Sequence, residues 1–287
     1  EPFLRPDFAE VADAVWQASR PGVVHITTNG SFPDRVADFV QRFAAPRRLR
    51  FMVSFDGLAE EHDANRGADV SFDTALQTVR LLAGLADRGV KVSVNHTVIS
   101  QRSLQDHAAL QRTFAPLGVD VQAVLAYEDS AMYGRKRQGQ RADDLIPIQG
   151  YPLHPKLQGA DAAGFVQCQL DDLGAMRDPL LRIGKRYYLR GLLQRLQSVE
   201  APSPKPPCVA LRSHIRVLPD GGVPVCQFNT ERVGSLLTQS FDEVWQAPQA
   251  VAQRAWVDAC TGCWAECEVV PNALYSGDIA KEVLLGR

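Results

Sequence analysis

The sequence predicts an α/β protein with a parallel sheet, followed by a small cysteine-rich module. Three observations predict this. Helical and β-branched segments alternate through the first half at spacings of roughly 25 to 35 residues, as in strands joined by crossover helices. Polar residues collect where the strands should end: Thr27-Thr28-Asn29, Ser54-Phe55-Asp56, Asn95-His96-Thr97 and Tyr127-Glu128-Asp129. Parallel α/β folds build their sites along that edge. Five of the six cysteines fall between Cys208 and Cys267.

The elements follow in order. Phe8, Val11, Ala12, Val15 and Trp16 have helical spacing, stopped by Pro21-Gly22. The β-branched run 23–28 is a strand that ends at Asn29-Gly30. Residues 33–45 put Val36, Phe39, Val40 and Phe43 on one helical face. A strand at 49–55, a helix at 72–87, a strand at 90–99, a helix at 104–117 and a strand at 119–127 complete the series. The middle stretch, Ser130 to Gln169, reads as loop-rich, with a basic run at 133–141 that is most simply a solvated loop. Helical spacing returns at 179–199, and the four prolines of 201–207 make a stiff linker. Beyond it, 215–218 and 223–226 flank Pro219-Asp220-Gly221-Gly222 as an expected hairpin, and 241–256 as a helix. The expected divisions are 1–150, 151–207 and 208–287.

Composition narrows the function class. A length of 287 residues suits one large domain, or one large and one small. With 45% apolar and 22% charged residues the chain is ordinary for a globular protein, and a net charge of −2 gives no bulk attraction to nucleic acid or anionic membrane. No apolar run reaches the roughly 18 residues that span a bilayer, and Glu1 to Pro6 has no signal-peptide core, so a cytoplasmic location is expected. The chain opens on Glu1 rather than Met and is expected to be a piece of a longer protein.

The cysteines read C-x12-G-x4-C from Cys208 through Gly221 to Cys226, then Cys260, Cys263 and Cys267 as C-x2-C-x3-C. Two thiolates two residues apart can grip one metal centre, and a second pair completes four ligands. Spacing alone fits an iron–sulfur cluster and a structural zinc site equally. Cys168 stands alone and reads as a structural thiol.

The order of these motifs resembles the radical S-adenosylmethionine enzymes that carry a C-terminal SPASM or Twitch module. The C-x12-G-x4-C loop, a helix around Phe241-Asp242-Glu243-Val244-Trp245 and the C-x2-C pair are similar to that module. Glu1-Pro2 resembles the end of the family's Gly-Gly-Glu-Pro motif, and Thr27-Thr28-Asn29-Gly30 its next strand end. Ser54-Phe55-Asp56-Gly57, with His62-Asp63 and Arg66-Gly67, resembles its Ser-x-Asp-Gly stretch. The defining C-x3-C-x2-C loop is absent. In the family it lies upstream of the residues that Glu1-Pro2 matches, so truncation is expected.

The resemblance implies a partial (β/α)6 barrel followed by an auxiliary [4Fe-4S] module. It also implies an oxidoreductase or maturase of the parent protein. A 5′-deoxyadenosyl radical made from S-adenosylmethionine at a catalytic [4Fe-4S] cluster upstream would abstract hydrogen from a peptide or small-molecule substrate, with flavodoxin or ferredoxin as electron donor. Glu1 would accept hydrogen bonds from the cofactor's ammonium, near Thr28 and Asn29. Ser54 and Arg66 would hold its carboxylate, Asp56 its ribose, and Leu125 and Tyr127 its adenine, with Asn95 facing the interior. Cys208, Cys226, Cys260, Cys263 and Cys267 supply the candidate ligands of the auxiliary cluster; four are needed. The alternative is a non-catalytic α/β protein with a four-cysteine zinc clip.

Overall fold

Alternation along the β-branched runs gives four strands: β1 Val24–Thr28, β2 Leu49–Phe55, β3 Lys91–Val98 and β4 Asp120–Leu125. They form one parallel sheet in the order β1-β2-β3-β4, as the spacing of crossover helices requires. The computed structural model describes residues 1–67, 69–126, 151, 153–176, 179–198, 206–260 and 263–284. Contacts divide the chain into two units, Glu1–Ala126 and Tyr127–Arg287.

In the first unit, the two sheet faces differ because successive side chains point opposite ways. Ile26 and Thr28, then Leu49, Phe51, Val53 and Phe55, then Val94, His96 and Val98 are buried. Against these lie α1 (Phe8–Ser19), α2 (Pro33–Arg42), α4 (Phe72–Ala83) and α5 (Gln101–Phe114), whose apolar stripes include Val36, Phe39, Val79, Leu82 and Leu110. The other face carries Met52, Ser54, Ser93, Asn95, Thr97 and Gln122, all half-buried. Gly30 ends β1 with φ +79°, and a Cβ there would lie 2.8 Å from the Ala75 backbone, so only glycine lets α4 approach. Thr78 Oγ1 donates to the Gly30 carbonyl at 2.7 Å across that approach.

Helix α5 opens on a reciprocal cap. Ser100 Oγ accepts from Ser103 N–H at 3.1 Å, and Ser103 Oγ accepts from Ser100 N–H at 3.2 Å. Ser100→Ala is expected to destabilise the first unit by about 1 kcal/mol in urea unfolding. A short helix, α3 (Ala59–Arg66), lies where the sequence shows only a motif. Its polar composition gives no apolar stripe to read.

The second unit corrects three expectations. The stretch read as loop-rich contains α6, Gly159–Asp171. Its buried stripe is narrow, Ala162 and Val166, and Gly159 and Gly164 mask the helical pattern. The hairpin of 215–218 with 223–226 does not form as strands. Instead β5 (Gly222–Pro224) pairs antiparallel with β6 (Arg232–Ser235). The reason is a tight return after Pro224, in which Cys226 N–H donates to Asn229 O at 3.0 Å and Val225 N–H to Glu231 O at 3.1 Å. The expected helix 241–256 is two helices, α8 (Phe241–Gln246) and α9 (Pro248–Ala259), broken because Ala247 precedes proline and takes ψ 143°.

The long helix α7 (Pro179–Gln197) packs against α6 and against two further helices, α10 (Glu266–Tyr275) and α11 (Asp278–Leu284). Trp264 is its anchor. The indole is 2% exposed, its Nε1 donates to Tyr188 O at 2.8 Å, and its ring lies against Gly191. A Cβ at residue 191 would fall 1.9 Å from the indole. Gly191→Ala is therefore expected to cost about 3 kcal/mol, because a rigid ring and a helix backbone cannot both give way. The melting transition of the second unit should fall by roughly 6–12 °C.

Candidate cofactor and metal sites

The strand ends of the first unit gather several of the expected cofactor residues. Glu1 is held at the end of β1. Its carboxylate accepts Thr28 Oγ1–H at 2.9 Å to each oxygen, Asn29 N–H at 2.6 Å and Phe3 N–H at 3.0 Å. Thr28 is buried, and its hydroxyl also accepts Gly30 N–H at 3.0 Å. Glu1, Thr28 and Asn29 thus form one constellation, in which Thr28 positions the carboxylate. Ser54 and Asn95 are register partners on β2 and β3, and Gln122 on β4 continues the row. Laterally paired residues of a parallel sheet share a face, so these three polar side chains stand side by side on the half-buried face.

Asp56 and Arg66 are joined to each other. Arg66 Nη2 and Nε lie 2.6 and 2.8 Å from the two Asp56 oxygens, and Asn65 Nδ2 donates to Oδ2 at 2.5 Å. A carboxylate that is 3% exposed needs such a counter-charge, which explains why the two do not point apart toward ribose and carboxylate groups. Leu125 is buried on the face of Val98, its register partner, away from the Ser54–Asn95 row, which leaves its backbone alone for contact with a ligand. Tyr127 and the basic run 133–141 lie outside the described residues. Asn65 and Gln122 were not singled out in the sequence. The strand register identifies Gln122, whereas nothing local marks Asn65.

The second unit assembles the cysteines. No disulfide forms among the six. Burial pushes the Cys226 thiol up to about 12 and the Cys263 thiol well above its ordinary range, and it raises Cys208 as well. Cys208 also feels Cys260, Cys226 feels Cys208, and Cys263 feels both Cys226 and Cys208. Cys208, Cys226 and Cys263 therefore lie within electrostatic reach of one another, and Cys260 within reach of Cys208. The Cys267 thiol is pushed up to about 11 by desolvation and then by Glu268, with Arg216 opposing, although the residue as a whole is exposed. Its thiol donates to Gln227 Oε1 at 2.9 Å.

Hydrogen bonds hold the ligand candidates from behind. Asn229 N–H donates to Cys226 Sγ at 3.2 Å, and buried Asn272 accepts Val209 N–H at 2.9 Å next to Cys208. Trp264 locks the peptide after Cys263 onto α7. As they stand, no three His, Cys, Asp or Glu side chains among the described residues converge on one ion, and Thr261 and Gly262 lie outside them. The donor set itself fits a metal centre. Four thiols drawn from one module, Cys226 buried and the other three half-buried, can be kept as thiolates only against concentrated positive charge, which an iron–sulfur core supplies.

Residues 208–264 match the SPASM family, an iron–sulfur cluster-binding domain. The chain carries a SPASM domain. The match takes in Cys208, Cys226, Cys260 and Cys263 and ends before Cys267. The SPASM domain thus decides between the two metals that spacing left open, in favour of iron–sulfur. Across most of the chain the fold is shared with solved structures of low sequence identity. One such solved structure, anSMEcpe with bound AdoMet, superposes with TM-score 0.53 at 16% identity over 88% of this chain and 63% of that one. SuiB of Streptococcus suis superposes with TM-score 0.55 at 11% identity, over 89% and 56%. Among curated proteins, the mycofactocin maturase MftC of Mycobacterium tuberculosis is 37% identical over 111 residues. That match covers 38% of this SPASM-domain chain and 27% of the maturase, so the chain spans about a quarter of the length of the curated relatives it matches.

Proposed function

We propose that the chain belongs to a radical S-adenosylmethionine maturase that modifies a peptide. Its second unit would hold an auxiliary [4Fe-4S] cluster on Cys208, Cys226, Cys260 and Cys263. The observation that carries the reading is the SPASM match itself, whose span takes in those four cysteines and ends before Cys267. The relatives named as maturases support the peptide substrate, and the AdoMet-bound structural neighbour supports the cofactor. When bound, S-adenosylmethionine supplies a 5′-deoxyadenosyl radical that removes a hydrogen atom from substrate. A small iron–sulfur or flavin protein such as ferredoxin or flavodoxin would donate the electron. No described helix is long and apolar enough to cross a membrane, and a cytoplasmic setting fits these redox partners.

The chain's own contribution is binding and orientation. Glu1 would accept hydrogen bonds from the cofactor ammonium, with Thr28 and Asn29 fixing the direction of its carboxylate. Ser54 and Asn95, paired across the sheet, would offer a hydroxyl and an amide beside it. Arg66 would have to leave Asp56 to meet the cofactor's carboxylate, so the Asp56–Arg66 pair would instead brace the strand end.

Anaerobic reconstitution with iron and sulfide tests the cluster. A brown protein absorbing near 400 nm, with about four iron per chain, is the expected result. A colourless protein with one zinc sinks the reading. Thr28→Val removes the hydroxyl that orients Glu1. It is expected to weaken S-adenosylmethionine binding about tenfold by calorimetry, the scale of a lost hydrogen bond to a charged group.

A further inference from the structure

Behind the cysteines lies a buried ion group. Glu268 follows Cys267 directly and is 1% exposed. Arg216 Nη2 donates to its Oε1 at 2.5 Å, and Gln227 N–H approaches the same oxygen at 3.4 Å. Its other oxygen, Oε2, accepts no hydrogen bond among the described residues; His214 Nε2 stands 3.4 Å away. Gln227 follows Cys226, and its Oε1 accepts a hydrogen bond from the Cys267 thiol at 2.9 Å. The carboxylate is thereby tied to both cysteine-bearing segments, the 226–229 turn and the start of α10.

A buried ion pair is costly to assemble and adds little stability over an apolar pair of the same size. Packing therefore gives no reason for this one, and its position does. We propose that the Glu268–Arg216 pair sets the reduction potential of the cluster held by Cys208, Cys226, Cys260 and Cys263. This rests on the iron–sulfur reading of the second unit.

The physical argument is electrostatic. Adding one electron to a cluster adds one negative charge. A fixed carboxylate nearby, in a medium of low polarisability, opposes that addition, and a fixed guanidinium favours it. Through Gln227, which follows Cys226 and whose N–H faces Glu268 Oε1, the carboxylate stands directly beside the Cys226 segment of the ligand set. Its own carboxyl stays below the ordinary range although burial works to raise it, because His214 and Arg216 hold the charged form. Glu268 is a positioning residue for charge and touches no reacting atom.

The test is the midpoint potential of the reconstituted SPASM-domain chain, read by electron paramagnetic resonance during a dye-mediated reductive titration. Glu268→Gln keeps the shape and the acceptor oxygen for Arg216 and removes the charge. It is expected to raise the reduction equilibrium constant about tenfold, or 59 mV for one electron. Glu268→Asp keeps the charge and should stay close to wild type. Iron and sulfide content is measured alongside. An unchanged or lowered potential in Glu268→Gln at full iron content overturns the proposal and leaves the cluster assignment intact. Loss of iron in Glu268→Gln also overturns it, by making the carboxylate a structural strut. Zinc in the wild-type protein removes the iron–sulfur reading itself, and the potential-setting role with it.

Discussion

Cys226→Ser and Cys263→Ser are each expected to abolish cluster assembly, while Cys267→Ser keeps it. The distinction comes from what each sulfur does. Cys226 Sγ accepts Asn229 N–H at 3.2 Å, the direction of hydrogen bond a metal-bound thiolate takes. Cys263 is half-buried and lies within electrostatic reach of Cys226 and Cys208. Cys267 points its own S–H at Gln227 Oε1, and Arg216 Nη2 approaches the sulfur at 3.9 Å. Both contacts would have to be given up for this sulfur to bind iron. Iron and sulfide should drop from about four per chain to near zero in the first two variants and stay near four in the third. Equal loss in Cys267→Ser would place that cysteine among the ligands.

The first unit is expected to lose stability steeply between neutral pH and about pH 4. His96 and His107 are both buried, with their Nδ1 atoms 3.0 Å apart and their rings stacked at 5.3 Å. One Nδ1 must carry the shared proton, so a second proton would set two donors face to face. Burial, and then His107, push His96 down to about 3. The unfolded chain takes up that proton near pH 6.5, whereas the folded one refuses it until about pH 3. The unfolded state therefore binds more protons throughout this window, and stability falls as pH falls through it. The full difference is at most roughly 4 to 5 kcal/mol, of which about 2 is lost by pH 5. Burial lowers His62 too, and it adds in the same direction. Urea midpoints at pH 7 and pH 5, followed through Trp16 of the first unit, measure the slope. His96→Leu should flatten it. An equally steep slope in that variant would assign the effect to other groups.

Much of the first unit was legible because its signals are local. Each strand is a β-branched run stopped by a turn or a polar cluster, and each longer helix has an apolar stripe that the sheet buries. The end-of-strand residues followed from direction alone. What a side chain finally touches did not. Asp56 and Arg66 both look available in sequence, ten residues apart. Only the short helix α3, which has no stripe, reveals that it turns the guanidinium back onto the carboxylate. In the second unit the cysteine spacing was readable and the pairing of strands was not. The turn at Cys226 to Asn229 is set by hydrogen bonds through a sulfur and an asparagine, which no propensity encodes. Glu268 was passed over because a lone acid after a cysteine reads as surface, and its partners Arg216 and His214 lie some fifty residues earlier.

The anchoring of Trp264 on α7 has a consequence in time. Tyr188 and Trp264 are 76 residues apart, Lys185 and Glu266 are 81, and Tyr187 and Asp278 are 91. At about 5 to 20 residues per second, the ribosome delivers the second member of such a pair several seconds after the first. Until then α7 has no indole for Gly191 to receive, and the thiols of Cys208 and Cys226 have been made without the two that complete the set. These three pairings each close a long loop, and such closures are slow. A newly made chain therefore carries Cys208 and Cys226 for a few seconds before Cys260 and Cys263 join them.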